Sequence, residues 1–215
     1  MSATLSVCFR HQLIGDSLMT KLLASVVLCC ILLGSAALSA EQAQDSTAPS
    51  YDMKAQALLD LERVQKKFVD LANAVPQDKF GWRPSEDTRS FAEVLLHVAA
   101  ERYQILALMG AIPPSDFNGK TFEKSTSDKT KIIGELDKTW EFTKQTITGM
   151  SNADFAKLLP KLGPQANAGD VVYILVSDAH EHLGQAVTYA RANGVVPPWT
   201  VEARKAAAEK KAQQK

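Results

Sequence analysis

A pattern of large apolar residues with helical spacing limits the folds that this chain can adopt. In four segments, large apolar side chains recur every three or four positions, which places them along one face of a helix. No segment has a convincing strand pattern. The four predicted helices span residues 55–75, 90–109, 127–150 and about 170–192. Four helices of this length predict an all-α protein, a four-helix bundle over residues 53–199.

The same pattern identifies the residues of the predicted core. Burying the apolar stripes against one another removes their large side chains from water, which stabilises the bundle. The residues expected in the core are Leu61, Phe68, Leu95, Val98, Leu136, Trp140 and Leu175. Signals at helix ends agree with these helices, because Ser90 and Glu93 have the spacing of a capping box and Pro76 ends the first helix.

The first forty residues have the pattern of a secretory signal peptide. Lys21 precedes the apolar stretch LLASVVLCCILL, and the small-residue stretch GSAALSA follows it. This apolar stretch is short for a membrane span, which needs about 20 residues. We therefore expect a signal peptide over residues 1–40, cleaved near Ser39 or Ala40, with Met19 as the more natural start. The protein would then be periplasmic or secreted, without stable membrane insertion after cleavage; an uncleaved membrane anchor is the alternative.

Removal of this leader would leave a chain without cysteine. All three cysteines, Cys8, Cys29 and Cys30, lie within it. Thiolate metal sites and cysteine nucleophiles are therefore excluded from the mature protein, so any metal site must consist of His, Asp and Glu. The formal charge is balanced at 24 basic and 24 acidic residues, and no basic face is evident. We accordingly expect no nucleic-acid partner.

Polar segments flank the predicted bundle on both sides. Residues 41–52 are expected to form a linker, because they are almost entirely polar or small. Residues 200–215 form a charged tail with almost nothing apolar larger than alanine, and we expect a frayed helix exposed to solvent. A basic tail that binds a surface is the alternative.

Two polar stripes contain the candidate chemistry. On the fourth predicted helix, His180 and His182 lie two residues apart and therefore on nearly opposite faces. The stripe of His182 consists of Asp178, His182, Gln185 and Tyr189, and a second stripe on the second helix consists of Glu93, His97, Glu101 and Gln104. Together they offer two imidazoles and a carboxylate, a ligand set that suits zinc, iron, nickel or manganese. The alternative is that each stripe is simply the solvated side of its helix.

Three sequence blocks resemble the DinB-like superfamily. The blocks are WRP at residues 82–84, RSFAEVLLHVA at residues 89–99 and HEHLGQAVTYARANGVVPPW at residues 180–199. The resemblance covers residues 53–199, and the order of the blocks makes it fairly specific. It implies a four-helix bundle with up-down-down-up topology, and it implies a homodimer.

The resemblance also implies a metal site. Many family members bind a divalent metal through three histidines, of which the first, in an LLH segment, matches His97. The other two lie four residues apart on the last helix; His182 matches the second, but Asp178 stands where the common pattern has histidine. The implied ligands are therefore His97, Asp178 and His182, and the aspartate shifts the preference towards manganese or iron. The same departure is equally consistent with loss of the metal.

What the resemblance implies about activity is less specific. Some relatives look like thiol transferases, and others look like hydrolases that act through a metal-bound water. For this chain it implies a metal that activates a water or thiol to attack an unknown small molecule, with Glu101 or Glu181 as the general base. The alternative is a non-catalytic bundle that binds a small ligand or a partner protein and keeps only a degenerate metal site.

Overall fold

A computed structural model describes residues 52–214 of the chain. The predicted signal peptide, and the predicted linker apart from Asp52, lie outside the described residues. The chain divides into two units, 1–51 and 52–215, and the fold below is that of the second unit alone. Within residues 52–214, no helix is both long enough and apolar enough to cross a membrane.

The described residues form six α-helices and two short 3-10 turns, and they contain no strand. The helices are α1 (Met53–Ala74), α2 (Phe91–Ala107), α3 (Lys129–Thr148), α4 (Asn152–Phe155), α5 (Ala168–Ala192) and α6 (Pro198–Gln213). The 3-10 turns are Gln77–Lys79 and Phe122–Lys124. The predicted all-α class is therefore confirmed for this part of the chain. Each of the four predicted helices, now α1, α2, α3 and α5, begins and ends within two residues of its expected bounds.

Side-chain caps explain where the long helices begin. Asp52 Oδ1 accepts a hydrogen bond from the backbone N of Ala55 at 3.0 Å, so α1 begins at Met53, two residues before its predicted start. The predicted capping box of α2 is present: Ser90 Oγ accepts from the Glu93 backbone N, and Glu93 Oε2 accepts from the Ser90 backbone N. These contacts pair N–H groups that the first turn of a helix leaves free.

Two helices lie outside the four predicted ones. The short helix α4 follows a capping box formed by Ser151 and Asp154, in the connection between α3 and α5. Helix α6 begins at Pro198, a position where proline is favoured because the first helical N–H has no partner. No residue of α6 is buried. Residues 201–213 of the charged tail are therefore helical and exposed.

The helices α1, α2, α3 and α5 enclose one apolar core. Both α1 and α2 pack against α3 and against α5. All seven predicted core residues are buried, and Phe68, Leu95 and Leu136 have no exposed surface at all. This packing holds α2 beside α5, the two helices that carry the predicted metal ligands.

A buried arginine fixes how α2 is turned towards α3. Arg102 is only 2% exposed, and its Nη1 donates to the Leu136 carbonyl at 2.9 Å and to Thr139 Oγ1 at 3.3 Å. Burial lowers the pKa of Arg102 to about 10, which still leaves the guanidinium charged at neutral pH. Consecutive residues of a helix are rotated by about 100° about its axis. Because Arg102 faces α3, its neighbour Glu101 faces a side of α2 that is turned away from α3 by about this angle.

The buried ring of Phe68 gives the first testable prediction. Phe68→Ala is expected to lower the free energy of unfolding by about 3–5 kcal/mol, because the ring is lost from a closed core and leaves a cavity. Tyr173→Ala is the matched control, since Tyr173 is an aromatic residue with 70% of its surface exposed. The control should change stability by less than about 1 kcal/mol. Chemical denaturation measures both, and equal effects of the two substitutions would contradict the packing described here.

Candidate metal centre

Two imidazoles meet where α2 packs against α5. The ring centroids of His97 from α2 and His182 from α5 lie 4.6 Å apart, with the ring planes at 86°. Each side chain is only 12% exposed. The two predicted histidines, 85 positions apart in the chain, are therefore brought together by the tertiary structure.

The carboxylate of Glu101 lies between the two rings. Its Oε2 is 3.1 Å from His97 Nε2 and 3.4 Å from His182 Nε2. This oxygen is buried, and no described residue forms a hydrogen bond with it. His97, Glu101 and His182 each offer one ligand atom, and these atoms all lie within 4.8 Å of one another. That spacing would let a single ion contact all three residues.

Asp178 adds a second carboxylate next to this group. Its Oδ1 lies 3.4 Å from His182 Nε2, one helical turn earlier on α5. The side chain is 16% exposed. Asp178 is therefore close to the predicted partner His182, whereas the compact group of three contains Glu101 in its place. Its role as a ligand stays a prediction.

The outer nitrogen of each ring is also held. His97 Nδ1 lies 2.7 Å from Glu123 Oε1, and His182 Nδ1 lies 3.0 Å from Gln185 Oε1. The Gln185 amide is oriented in turn, because its Nε2 donates to the Tyr189 hydroxyl at 3.2 Å. Both oxygens can only accept, so Nδ1 donates in each ring. Both Nε2 atoms are therefore directed towards Glu101.

Glu123 is a site residue that spacing did not identify. It lies in the 3-10 turn Phe122–Lys124, in the connection between α2 and α3, 26 positions from His97. No helical or strand periodicity runs through this connection. The only local signal is that Glu123 is one of two carboxylates between residues 110 and 127, the other being Asp116.

The carboxylates control the protonation of His182. The Asp178 carboxylate, and after it that of Glu101, raises the pKa of His182 to about 10. Burial acts to raise the pKa of Asp178, but its contact with His182 holds that pKa below the ordinary value. A positive charge in this pocket is therefore favoured by the neighbouring carboxylates.

The other two predicted polar residues of α5 are on the protein surface. His180 is exposed, and its Nε2 lies 2.6 Å from Asp60 Oδ2 on α1. Glu181, a predicted general base, is also exposed. The placement of His180 away from His182 agrees with the helix faces that their spacing predicts.

The fold and this group of residues define a class: an all-helical protein with a candidate histidine and carboxylate metal centre between two facing helices. The family model of the DinB superfamily matches residues 60–186, and the chain belongs to this superfamily. The resemblance to this superfamily is thereby confirmed. No curated protein matches the chain.

Two solved structures are similar in fold. A DinB-like protein from Bacillus cereus ATCC 10987 has a TM-score of 0.58 and 12% identity, and the match covers 66% of this chain and 93% of that one. A conserved protein from Enterococcus faecalis has a TM-score of 0.54 and 14% identity, and the match covers 66% of this chain and 97% of that one. At these identities the likeness concerns the fold alone.

Proposed function

We propose that this protein is an exported DinB-superfamily metalloprotein that binds a divalent transition metal between α2 and α5. The proposed ligands are His97, Glu101 and His182, with Asp178 adding a carboxylate where the common family pattern has histidine. In this proposal α1, α2, α3 and α5 form the up-down-down-up bundle that the family resemblance implies.

The observation that carries the proposal is the environment of Glu101 Oε2. This buried oxygen receives no hydrogen bond from a described residue, yet it lies within 3.4 Å of the Nε2 atoms of both imidazoles. A buried carboxylate oxygen that receives no hydrogen bond costs free energy unless a cation lies beside it. A cation shared with the two rings would remove that cost, so the residues present fit a metal.

The donor set also bears on which metal fits. Two imidazole nitrogens and carboxylate oxygens suit zinc, iron, nickel or manganese. Glu101 and Asp178 together carry two negative charges when ionised, which would balance the charge of a divalent ion. Compared with a site of three neutral histidines, this set favours the harder ions manganese and iron.

The reaction we propose is of the hydrolase or thiol-transferase type, on an unidentified small molecule. When bound, the metal would supply Lewis acidity, which favours the deprotonated form of a water or thiol near neutral pH. Glu101 lies next to both imidazoles, where the proposed metal would be bound. Glu101 is therefore a better candidate for the general base than Glu181, which is exposed.

A second candidate function is a non-catalytic bundle that binds a small ligand or a partner protein. The observation in its favour is that the carboxylates of Asp178 and Glu101 raise the pKa of His182 to about 10. A protonated His182 can balance these carboxylates without a metal. The same residues would then form a buried ion-pair cluster that stabilises the contact of α2 with α5.

Elemental analysis of the purified mature protein separates these two functions. We expect a stoichiometric transition metal, manganese or iron before zinc, that remains after extensive dialysis. The His97→Ala/His182→Ala double variant, purified in parallel, is the control and should contain only background metal. A parent protein with no more metal than this control would favour the non-catalytic bundle.

Export is a separate prediction. Full-length protein expressed in a Gram-negative host should reach the periplasm, and N-terminal sequencing should find a mature chain that begins near Glu41. The reason is the order of basic residue, apolar stretch and small-residue exit in residues 19–40. Deletion of residues 22–33 removes the apolar stretch and should retain the protein in the cytoplasm. Unprocessed parent protein in the cytoplasm would contradict the prediction.

A further inference from the structure

Glu123 connects the His97 imidazole to the start of α2. Its Oε1 lies 2.7 Å from His97 Nδ1, while Arg89 donates through Nε to Oε2 at 2.7 Å and through Nη2 to Oε1 at 3.2 Å. Arg89 directly precedes Ser90, the residue that caps α2. Both oxygens of Glu123 thus have partners, and the carboxylate is held by the residue that directly precedes the cap of the helix carrying His97.

The chain segment around Glu123 is anchored by its own packing. Phe122 packs against the core, and its ring centroid lies 5.3 Å from that of Phe117. The Phe117 ring in turn lies 4.9 Å from the ring of Tyr103 on α2. The backbone of Glu123 is therefore fixed relative to α2 by packing and not by its contact with His97. A residue that orients another side chain needs such independent support.

The contacts of Glu123 define its role as an acceptor. Arg89 donates a hydrogen bond to each of its two oxygens, as a guanidinium does to a carboxylate. A carboxylate can only accept hydrogen bonds, so Glu123 accepts from His97 as well. A neutral imidazole has one N–H and one lone pair. Glu123 Oε1 is 2.7 Å from Nδ1, whereas Glu101 Oε2 is 3.1 Å from Nε2 and receives no hydrogen bond within residues 52–214, so the geometry favours the proton of His97 on Nδ1.

We propose that Glu123, held by Arg89, is a positioning residue of the metal centre, which fixes the His97 ring with Nδ1–H directed at the carboxylate and the Nε2 lone pair directed at Glu101. This inference rests on the proposed metal function and adds to it a residue outside the ligand set. Carboxylates that hold the outer N–H of a metal-binding histidine fix its tautomer and angle, and they raise its affinity for the metal.

The test compares Glu123→Ala and Glu123→Gln with Asp60→Asn. Asp60 Oδ2 lies 2.6 Å from His180 Nε2, so the control removes a carboxylate–imidazole contact of similar length away from the metal centre. Zn²⁺ affinity is measured by competition with a chromophoric chelator. The tautomer of His97 is measured by ¹⁵N NMR of the imidazoles in metal-free protein, at a pH where the ring is neutral. Thermal unfolding shows that each variant is folded.

Glu123→Ala is expected to weaken Zn²⁺ binding by about 10–100-fold and to move the His97 proton from Nδ1 towards Nε2. Glu123→Gln keeps the size of the side chain and should lose less affinity, and it replaces the alanine variant if that variant does not fold. Asp60→Asn should match the parent protein in both measurements. Unchanged Zn²⁺ affinity together with an unchanged tautomer in Glu123→Ala would overturn the proposal. A parent protein that binds neither Zn²⁺ nor Mn²⁺ would refute the metal function, whereas the tautomer measurement would still decide the role of Glu123.

Discussion

Replacement of either His97 or His182 by alanine is expected to abolish stoichiometric binding of Zn²⁺ or Mn²⁺. Each substitution removes one of the two Nε2 atoms that face Glu101 Oε2 at 3.1 and 3.4 Å. Removal of a ligand should lower metal affinity by more than the factor of about 10–100 that follows removal of a residue hydrogen-bonded to a ligand. Isothermal titration of the metal-free variants measures the effect.

His180→Ala is the matched control for these two variants. It removes an imidazole from the same helix, but this ring is exposed and contacts Asp60 on α1. Its metal binding should equal that of the parent protein. Loss of the metal in His180→Ala together with its retention in His182→Ala would show that the residues of α5 are assigned to the wrong faces. His180 and His182 are the same residue type on the same helix, so a difference between their alanine variants reflects the position of each ring and not its chemistry.

Removal of either carboxylate charge should weaken the binding of Mn²⁺ more than that of Zn²⁺. Glu101→Gln and Asp178→Asn keep the size of each side chain and remove its negative charge. Binding of the harder ion Mn²⁺ depends more on anionic oxygen ligands than binding of Zn²⁺ does. We expect Mn²⁺ affinity to fall by more than about 10-fold in each variant, with Zn²⁺ affected less. Competition titrations with both ions measure the change in selectivity. Glu181→Gln is the matched control, because it removes an exposed carboxylate from α5.

These two substitutions also distinguish the two ligand sets. Severe loss in Asp178→Asn with little effect of Glu101→Gln would support His97, Asp178 and His182, the set that the family resemblance implies. The opposite result would support the compact group that contains Glu101. If the ratio of Mn²⁺ affinity to Zn²⁺ affinity is the same in the parent protein and in both variants, the argument that these carboxylates set the metal preference is refuted.

The local features of this protein were predictable because they depend on neighbours in the chain. Helical periodicity and capping residues act within one or two turns, so the bounds of α2 and the burial of Phe68 and Leu95 followed from the sequence. The same geometry separated His180 from His182, since a helix turns about 100° per residue. The sequence alone thus determined the all-α class and the helix faces on which the candidate ligands lie.

Which side chains meet across those faces depends on how the helices pack. Spacing placed Glu101 on the stripe of His97, where it was a reserve ligand and not one of the three predicted ligands, and the resemblance implied a general base. The packing of α2 on α5 puts its Oε2 next to both imidazoles. Glu123 reaches His97 from a connection without periodicity. The physical reason is that spacing along one helix sets the direction of a side chain. The distance to a residue on another segment depends on how each helix is rotated about its axis and how far apart the packed helices lie. No local sequence pattern encodes that arrangement.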